Sequence, residues 1–198
     1  MPHWRRWVVR GLMAACVGLP LVAVLMYVLN PFGADSLDPR QRILGHAPYL
    51  IPSSSMAPTL VPGEIVLVRA GDHRRRSPQR GDVVIFRSPE DGNAWIQRIV
   101  GLPGERVAII DGVVRVDGQP LREAYVADGR ARQPYSRALA ERVVPAGHYL
   151  LLGDNRDNSL DGRIMGAIGA ERLIGRVVGA LRLPGEAQRD APGNDDRE

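Results

Sequence analysis

The sequence predicts a mostly β domain of short antiparallel strands, preceded by one transmembrane helix. Residues 11–29 form a run without a charged side chain. Beyond it lie short runs rich in Val and Ile, which Gly, Pro and Asp interrupt, and no helical repeat lasts more than a few turns. Aromatic residues are only 5% of the chain, with 22 glycines and 16 prolines, so we expect an aliphatic core and many turns.

The composition excludes several classes of protein. The single cysteine, Cys16, excludes an intrachain disulfide framework and a cysteine-based zinc site. The acids and histidines lack metal-ligand spacing and no glycine-rich phosphate loop follows a strand, so we expect no metal and no cofactor. All 26 basic residues are arginine. They are dispersed among acids apart from residues 74–76, so the net charge of +4 does not predict nucleic-acid binding.

The first predicted element is the apolar helix. A helix over residues 11–29 would measure about 28 Å, against a hydrocarbon core of about 30 Å. A buried globular helix would show a polar face, which this run lacks before Asn30. Arg5, Arg6 and Arg10 precede the run, whereas the charges that follow it cancel, so the N-terminus is expected in the cytoplasm.

A cleaved signal peptide is the competing interpretation of this run. The run is long for one, and Phe32 occupies the place where a cut after Ala34 would need a small residue. An uncleaved anchor is therefore favoured. The predicted organisation is a cytoplasmic basic N-terminus (1–10), a transmembrane anchor (11–30), an extracytoplasmic β domain (31–183) and a disordered acidic tail (184–198).

The β domain follows from apolar runs bounded by turn residues. Asp111-Gly112 between two such runs predicts a two-residue hairpin turn, and Asp117-Gly118 begins the next turn. Ala124 to Arg142 has some helical composition, and a loop or short helix is expected there. The predicted strands are Glu64–Val68, Asp82–Phe86, Trp95–Gly101, Arg106–Ile110, Val113–Asp117, His148–Leu152 and Leu173–Leu181.

Four segments of unusual composition lie within this predicted β region. They are residues 51–60 (IPSSSMAPTL), 80–84 (RGDVV), 96–104 (IQRIVGLPG) and 153–163 (GDNRDNSLDGR). In order and spacing they resemble the type I signal peptidase family, from about Tyr49 to Val177. The resemblance implies a compact β protease domain that lies against the outer face of the cytoplasmic membrane. Its expected activity is the removal of signal peptides from exported preproteins, after small residues at the −1 and −3 positions.

The resemblance also implies roles for individual residues. Ser55 matches the nucleophile. The Ser53 hydroxyl and the backbone N–H of Ser55 match the oxyanion hole. The side chains that match the substrate pockets are Met56, Leu60, Trp95 and Ile96. The residues that match supports of the site are Arg98, Asp154, Ser159, Asp161 and Arg163, among which Ser159 matches the residue that orients the general base.

The general base is missing from this sequence. The family's lysine corresponds to Gln97, whose carboxamide does not titrate in the physiological range and cannot take the proton of Ser55. Arg98 stays protonated and leaves an extended strand from the opposite face. Since the chain contains no lysine, none can have moved elsewhere. His46 and His148 are the remaining candidates, and surface positions are the favoured interpretation of both.

Three hypotheses follow. The first is a membrane-bound serine endopeptidase whose partners are preproteins and the phospholipid membrane. The second is a catalytically silent relative that binds signal-peptide segments without cutting them, because Gln97 replaces the base. The third is a self-cleaving repressor-type domain, against which the anchor argues, since such a domain would be cytosolic and bind DNA.

Overall fold

A computed structural model describes residues 3–34, 36–72, 76–126 and 131–182. The predicted acidic tail, 184–198, lies outside these residues. The chain begins with helix α1 (His3–Leu29), which contains Pro20. Its segment Trp7–Leu29 has a mean hydropathy of 2.5 and is not buried against the rest of the protein. This one helix, among the described residues, is long and apolar enough to cross a membrane.

The β domain consists of two antiparallel sheets. The larger sheet has seven strands in the order β1-β2-β11-β3-β4-β9-β10, and the smaller has four in the order β7-β6-β5-β8. The strands are β1 (His46–Leu50), β2 (Ile65–Ala70), β3 (Val83–Arg87), β4 (Ala94–Gly101), β5 (Arg106–Ile110), β6 (Val113–Val116), β7 (Gln119–Pro120), β8 (Leu139–Val143), β9 (His148–Leu152), β10 (Ile168–Gly169) and β11 (Leu173–Leu181).

Among the described residues, three short α-helices lie before or between the strands. Helix α2 (Pro39–Leu44) is capped by the Asp38 carboxylate, which accepts from the N–H of Arg40. Helix α3 (Pro134–Arg137) precedes β8, and helix α4 (Gly162–Met165) is capped by Asp161. The mostly β prediction is confirmed, with one long helix before the sheets.

The turn chemistry of the small sheet agrees with the sequence. Asp111 and Gly112 have φ values of 51° and 83° and join β5 to β6, as a two-residue hairpin requires. Asp117 and Gly118, with φ values of 48° and 80°, join β6 to β7 in the same way. All seven predicted strands are present, with ends that differ by at most two residues.

The expectation for residues 124–142 is incomplete. A short helix is present, but Leu139–Val143 is strand β8, which pairs with β5. Only Leu139 is buried in β8, and the other four residues are exposed. Because the strand lacks alternating apolar residues, its sequence carries no period-two signal. Strand β1 was missed for a related reason, since it is five residues long and contains Pro48.

Aliphatic residues fill the interior in three clusters. One cluster lies beneath the loop that follows β1 and includes Ile51, Met56, Leu60 and Ile96. The second packs the small sheet against the β9 side of the large sheet, around Val107 and Leu150. The third surrounds Phe86 and Leu151. Strand β4 contributes to all three, so its side chains have fixed positions on both faces of the sheet.

Candidate active site

An open cleft of about 470 Å³ brings together residues from three separate segments of the chain. One wall is the loop after β1, a second is the β3–β4 hairpin with β4 itself, and the third is the turn before α4. The lining residues are Pro52, Ser53, Ser55, Asp91, Asn93, Ala94, Trp95, Ile96, Gln97, Asn158 and Leu160. Ser55 and Gln97 therefore share one cleft, although 42 positions separate them in the chain.

The serine loop presents its hydroxyls to this cleft. The Oγ atoms of Ser53 and Ser55 lie 3.2 Å apart. Ile51 before them and Met56 after them are buried in the core, so the loop is held at both ends while Ser53 stays exposed and Ser55 half-buried. Apolar burial on either side of short polar residues thus directs the serines outward.

Two asparagines hold the backbone of this loop. The N–H of Asn155 donates to the carbonyl of Ser55 at 2.9 Å, and its side-chain Nδ2 donates to the carbonyl of Ser54 at 3.1 Å. Asn158 Nδ2 donates to Ser54 Oγ at 2.8 Å. Sequence reasoning assigned no role to either residue. Their only signal was their place in the segment 153–163, because the partners lie about a hundred positions earlier in the chain.

Gln97 is buried, and of its two amide atoms only the nitrogen has a hydrogen-bond partner among the described residues. Its side chain is on β4, 2% exposed, and Nε2 donates to the carbonyl of Leu160 at 2.7 Å. Its Oε1 atom is buried and has no hydrogen-bond partner among the described residues. A buried acceptor without a partner costs about 1–3 kcal/mol. The Gln97 side chain can accept a hydrogen bond from a hydroxyl, but it cannot take the proton from that hydroxyl.

Ser159 is the second unsatisfied group of the site. Its Oγ atom is buried and has no hydrogen-bond partner in the described part of the chain. Gly153 lies against it, because a Cβ atom there would collide with Ser159 Oγ and would lie 2.7 Å from the carbonyl oxygen of Ser55. The hydroxyl of Ser159 therefore lies near the backbone of Ser55. The two atoms, Gln97 Oε1 and Ser159 Oγ, are the buried side-chain atoms of the site that lack a partner among the described residues.

Arg98, the residue after Gln97, is paired on the opposite face of β4. Its Nε and Nη2 atoms donate to the carboxylate of Asp154 at 2.8 and 2.6 Å, and Nη1 donates to the carbonyl of Gly81 at 2.8 Å. Burial, the largest single cause, lowers the pKa of Arg98, but the hydrogen bonds and charge of Asp154, together with the interactions with Tyr125 and Glu123, outweigh it and raise the pKa. Arg98 therefore stays charged and cannot act as a base.

The same cluster extends to residues that the sequence did not single out. The ring of Tyr125 lies 4.0 Å from the guanidinium carbon of Arg98, and its hydroxyl donates to Glu123 at 2.7 Å. Arg156, 1% exposed, donates to Glu123 at 2.6 Å and to the carbonyl of Gly153 at 3.0 Å. Burial, the largest cause, raises the pKa of Tyr125, which remains neutral.

Asp161 and Arg163 form a second buried pair. Arg163 donates from Nε and Nη2 to the Asp161 carboxylate at 2.8 and 2.9 Å. The same carboxylate accepts from the N–H of Gly153 at 3.0 Å. The pair therefore closes the turn that carries Asn158, Ser159 and Leu160. Both arginine pairs contact the segment that begins at Gly153.

The four residues matched to substrate pockets occupy two different environments. Trp95 and Ile96 line the cleft. Met56 and Leu60 do not line it, because they are 0% and 4% exposed and lie in the core cluster behind Ile96. Their side chains support the cleft wall from behind, and their contact with a substrate stays a prediction.

The histidine candidates do not line the cleft either. His46 is on β1, where its ring nitrogens contact the carbonyl of Leu44 and the side chain of Arg69. The ring of His148 contacts the carbonyl of Ala146 at 2.9 Å. Asp91 is the one titratable side chain that lines the cleft among the described residues. Hydrogen bonds from the backbone and side chain of Asn93 lower its pKa, so its carboxylate is a weak base.

No group of three or more His, Cys, Asp or Glu side chains in the described part of the chain is arranged to hold a metal ion. The polar groups that line the cleft, besides the peptide backbone, include hydroxyls, amides and the carboxylate of Asp91. Such a set can bind an extended peptide and donate hydrogen bonds to a carbonyl oxygen, but it includes no strong base.

Comparison with known proteins relates this geometry to a family. The family model described as signal peptidase, peptidase S26, matches residues 40–181. A signal peptidase I of Leptolyngbya laminosa is 37% identical over 136 residues, 65% of this chain and 64% of that protein. Signal peptidase I U of Bacillus subtilis is 32% identical over 152 residues, 71% of this chain and 81% of the relative.

Two further similar proteins also carry the name signal peptidase I. A probable signal peptidase I-2 of Synechocystis is 40% identical over 134 residues, and the chain spans 59% of its length. A solved signal peptidase I from Enterococcus faecalis is 31% identical, with a TM-score of 0.45 over 52% of this chain and 97% of the other. Since the family match covers most of the β domain and all walls of the cleft, the chain belongs to the signal peptidase family, peptidase S26.

Proposed function

We propose that this protein is a membrane-anchored serine endopeptidase that removes N-terminal signal peptides from exported preproteins. In this proposal α1 crosses the cytoplasmic membrane with its N-terminus inside, and the cleft lies on the outer side. Ser55 attacks the scissile carbonyl, while the hydroxyl of Ser53 and the N–H of Ser55 stabilise the oxyanion. Oxyanion donors of this kind contribute roughly 3–4 kcal/mol in serine proteases.

The observation that carries the proposal is the shared cleft of Ser53, Ser55 and Gln97. Ser53 and Ser55 face each other at 3.2 Å, and Asn155 fixes the carbonyl of Ser55. Trp95 and Ile96 complete an apolar wall for small side chains at the −1 and −3 positions. Arg98, Asp154, Asp161 and Arg163 support this arrangement from outside the cleft.

A second function is favoured by the unpaired Oε1 of Gln97. In this alternative the protein binds signal-peptide segments in the same cleft without cutting them, because no strong base reaches Ser55. The binding surface and the oxyanion donors are common to both functions. They differ only in whether the proton of Ser55 is removed at a useful rate.

Turnover by the full-length protein in liposomes distinguishes the two functions. A preprotein with a small residue at −1 and −3 is incubated with the unaltered chain and with Ser55→Ala. Under the peptidase proposal the unaltered chain produces the mature N-terminus and Ser55→Ala produces none. If the two proteins give the same background while both bind the signal peptide, the silent alternative is correct.

A further inference from the structure

The segment between the apolar helix and β1 is packed against the β domain. Phe32 and Gly33 fill the space beside two glycines that have positive φ values, Gly45 (71°) and Gly71 (61°). A Cβ atom at Gly45 would lie 2.6 Å from the ring of Phe32, and one at Gly71 would collide with the carbonyls of Phe32 and Gly33. Only glycine allows this close approach at both positions.

Arg42 connects α2 to the last turn of α1. Its guanidinium carbon lies 5.0 Å from the centroid of the Tyr27 ring, and Nη1 donates to the Tyr27 carbonyl at 3.4 Å. Nε of the same side chain donates to the carbonyl of Ser36 at 3.0 Å. The Tyr27 hydroxyl donates to the carbonyl of Leu37 at 3.2 Å. A cation at a helix C-terminus is also favourable towards the helix dipole.

Further hydrogen bonds continue from the end of α1 to β1. The side chain of Asn30 donates to the carbonyl of Ala34 and accepts from its N–H, both at 2.9 Å. Gln41, 0% exposed, accepts from Ser36 Oγ at 2.5 Å and donates to the Tyr49 hydroxyl on β1 at 2.6 Å. Strand β1 leads directly into the serine loop, so these contacts connect the helix to a wall of the cleft.

We propose that residues 27–34 and 36–45 form a rigid joint that holds the cleft at one height and orientation above the bilayer. The joint thereby restricts the substrates to peptide bonds that a membrane-inserted segment presents near the membrane surface. This inference rests on the proposed membrane anchoring. Gly45 is seven residues before Pro52, so the cleft begins at most about 25 Å from the joint. If the nine residues between α1 and α2, 30–38, were a flexible linker, their end-to-end distance would be roughly 16 Å r.m.s., with a comparable spread.

The height of the cleft above the bilayer tests the joint without any need for catalysis. The full-length protein is reconstituted in liposomes with a donor fluorophore at Glu90→Cys, in a Cys16→Ala background. Glu90 is exposed on the β3–β4 hairpin and does not line the cleft. Time-resolved energy transfer to acceptor-labelled lipid then measures the distribution of heights. We expect a narrow distribution for the intact joint.

Two variants loosen the joint, and one matched control leaves it intact. Arg42→Ala removes the contacts to Tyr27 and Ser36 without straining the backbone, and Gly45→Ala inserts a methyl group against Phe32. Gly147 has the same φ of 71° as Gly45, but a Cβ atom there would have no neighbour within 4 Å, so Gly147→Ala controls for backbone strain. The distribution is expected to broaden towards that of a flexible linker in the first two variants only. A broad distribution in the unaltered protein, or no broadening in Arg42→Ala, would overturn the inference.

The cleavage rate of two substrates, one membrane-inserted and one soluble, provides a second readout. Arg42→Ala is expected to lower the cleavage of a membrane-inserted preprotein about tenfold or more, because a cleft that is no longer held at one height has a lower effective concentration at the cut site. Cleavage of a soluble peptide with the same residues around the cut should not change. Equal losses on both substrates would contradict the inference. If the unaltered protein cleaves neither substrate, the peptidase proposal fails, while the height distributions still decide whether the joint is rigid.

Discussion

The two faces of β4 beside the cleft differ in how well their polar groups are paired. On one face, Arg98 is matched by the Asp154 carboxylate, the Gly81 carbonyl and the Tyr125 ring. On the other face, Gln97 retains a buried oxygen without a partner among the described residues. The Arg98 face of the strand is thus fully paired, and the unpaired polar atom lies at Gln97. Two adjacent residues of one strand therefore differ completely in how well the fold satisfies their polar groups.

The largest expected effect comes from Gln97→Lys, which introduces a base on the unpaired face of β4. Gln97→Lys places an amine in a site where the present side chain is 2% exposed, and burial lowers the pKa of a lysine there towards neutrality. Loss of a triad member costs roughly four to six orders of magnitude in serine proteases, so we expect a gain of at least about a thousandfold. The initial rate of preprotein cleavage measures it.

Gln97→Met is the matched control for this gain. It has a similar length and cannot take a proton, so its cleavage rate should equal that of the unaltered protein. A comparable gain in both variants would mean that removal of the unpaired amide, rather than the new base, causes the increase. No gain in Gln97→Lys would mean that the remaining geometry of the site is not competent.

The second prediction concerns the paired face of β4, where Arg98 contacts Asp154. Asp154→Ala removes the partner of a buried arginine, and breaking a buried ion pair from one side costs about 3–5 kcal/mol. We expect the free energy of unfolding, measured with denaturant on the detergent-solubilised full chain, to fall by that amount. Arg137→Ala removes an exposed pair with Asp111 and should cost less than about 1 kcal/mol. Equal losses would contradict the contrast between the paired core of the site and its surface.

The smallest effect concerns pH. Burial raises the pKa of Tyr125, so the folded state keeps the phenol proton where the unfolded state releases it. The unfolded state then binds fewer protons, and stability must fall as the pH rises above the ordinary tyrosine pKa of about 10. Tyr125→Phe should reduce this alkaline decline in the unfolding free energy. An unchanged decline would assign it to Tyr49 and Tyr149, whose pKa values burial also raises.

The sequence predicted those turns and strands that depend only on neighbouring residues. Asp111-Gly112 adopts the hairpin turn because both residues tolerate positive φ, and Leu173–Leu181 is a strand because its apolar run is continuous apart from Arg176 and two glycines. Strand β8 was missed because four of its five residues face solvent and only pairing with β5 makes it a strand. Its hydrogen bonds depend on a partner about thirty positions earlier in the chain.

The candidate site divides in the same way. Ser53, Ser55 and Gln97 were identified through motifs, and the fold brings all three to one cleft. Asn155, Glu123 and Tyr125 received no role, because each acts through a partner distant in sequence. Met56 and Leu60 were matched to the substrate pockets, and no residue-level signal separates a side chain in the cleft wall from one that supports the wall from behind.

Residue type and short-range pattern were enough to predict the apolar helix, most strands and the replacement of the family's lysine by Gln97. The partners of the buried polar groups and the contacts between the helix and the β domain could not be predicted in this way. Hydrogen bonds and close packing depend on distances of a few ångströms between segments far apart in the chain. Those distances exist only after the sheets have assembled.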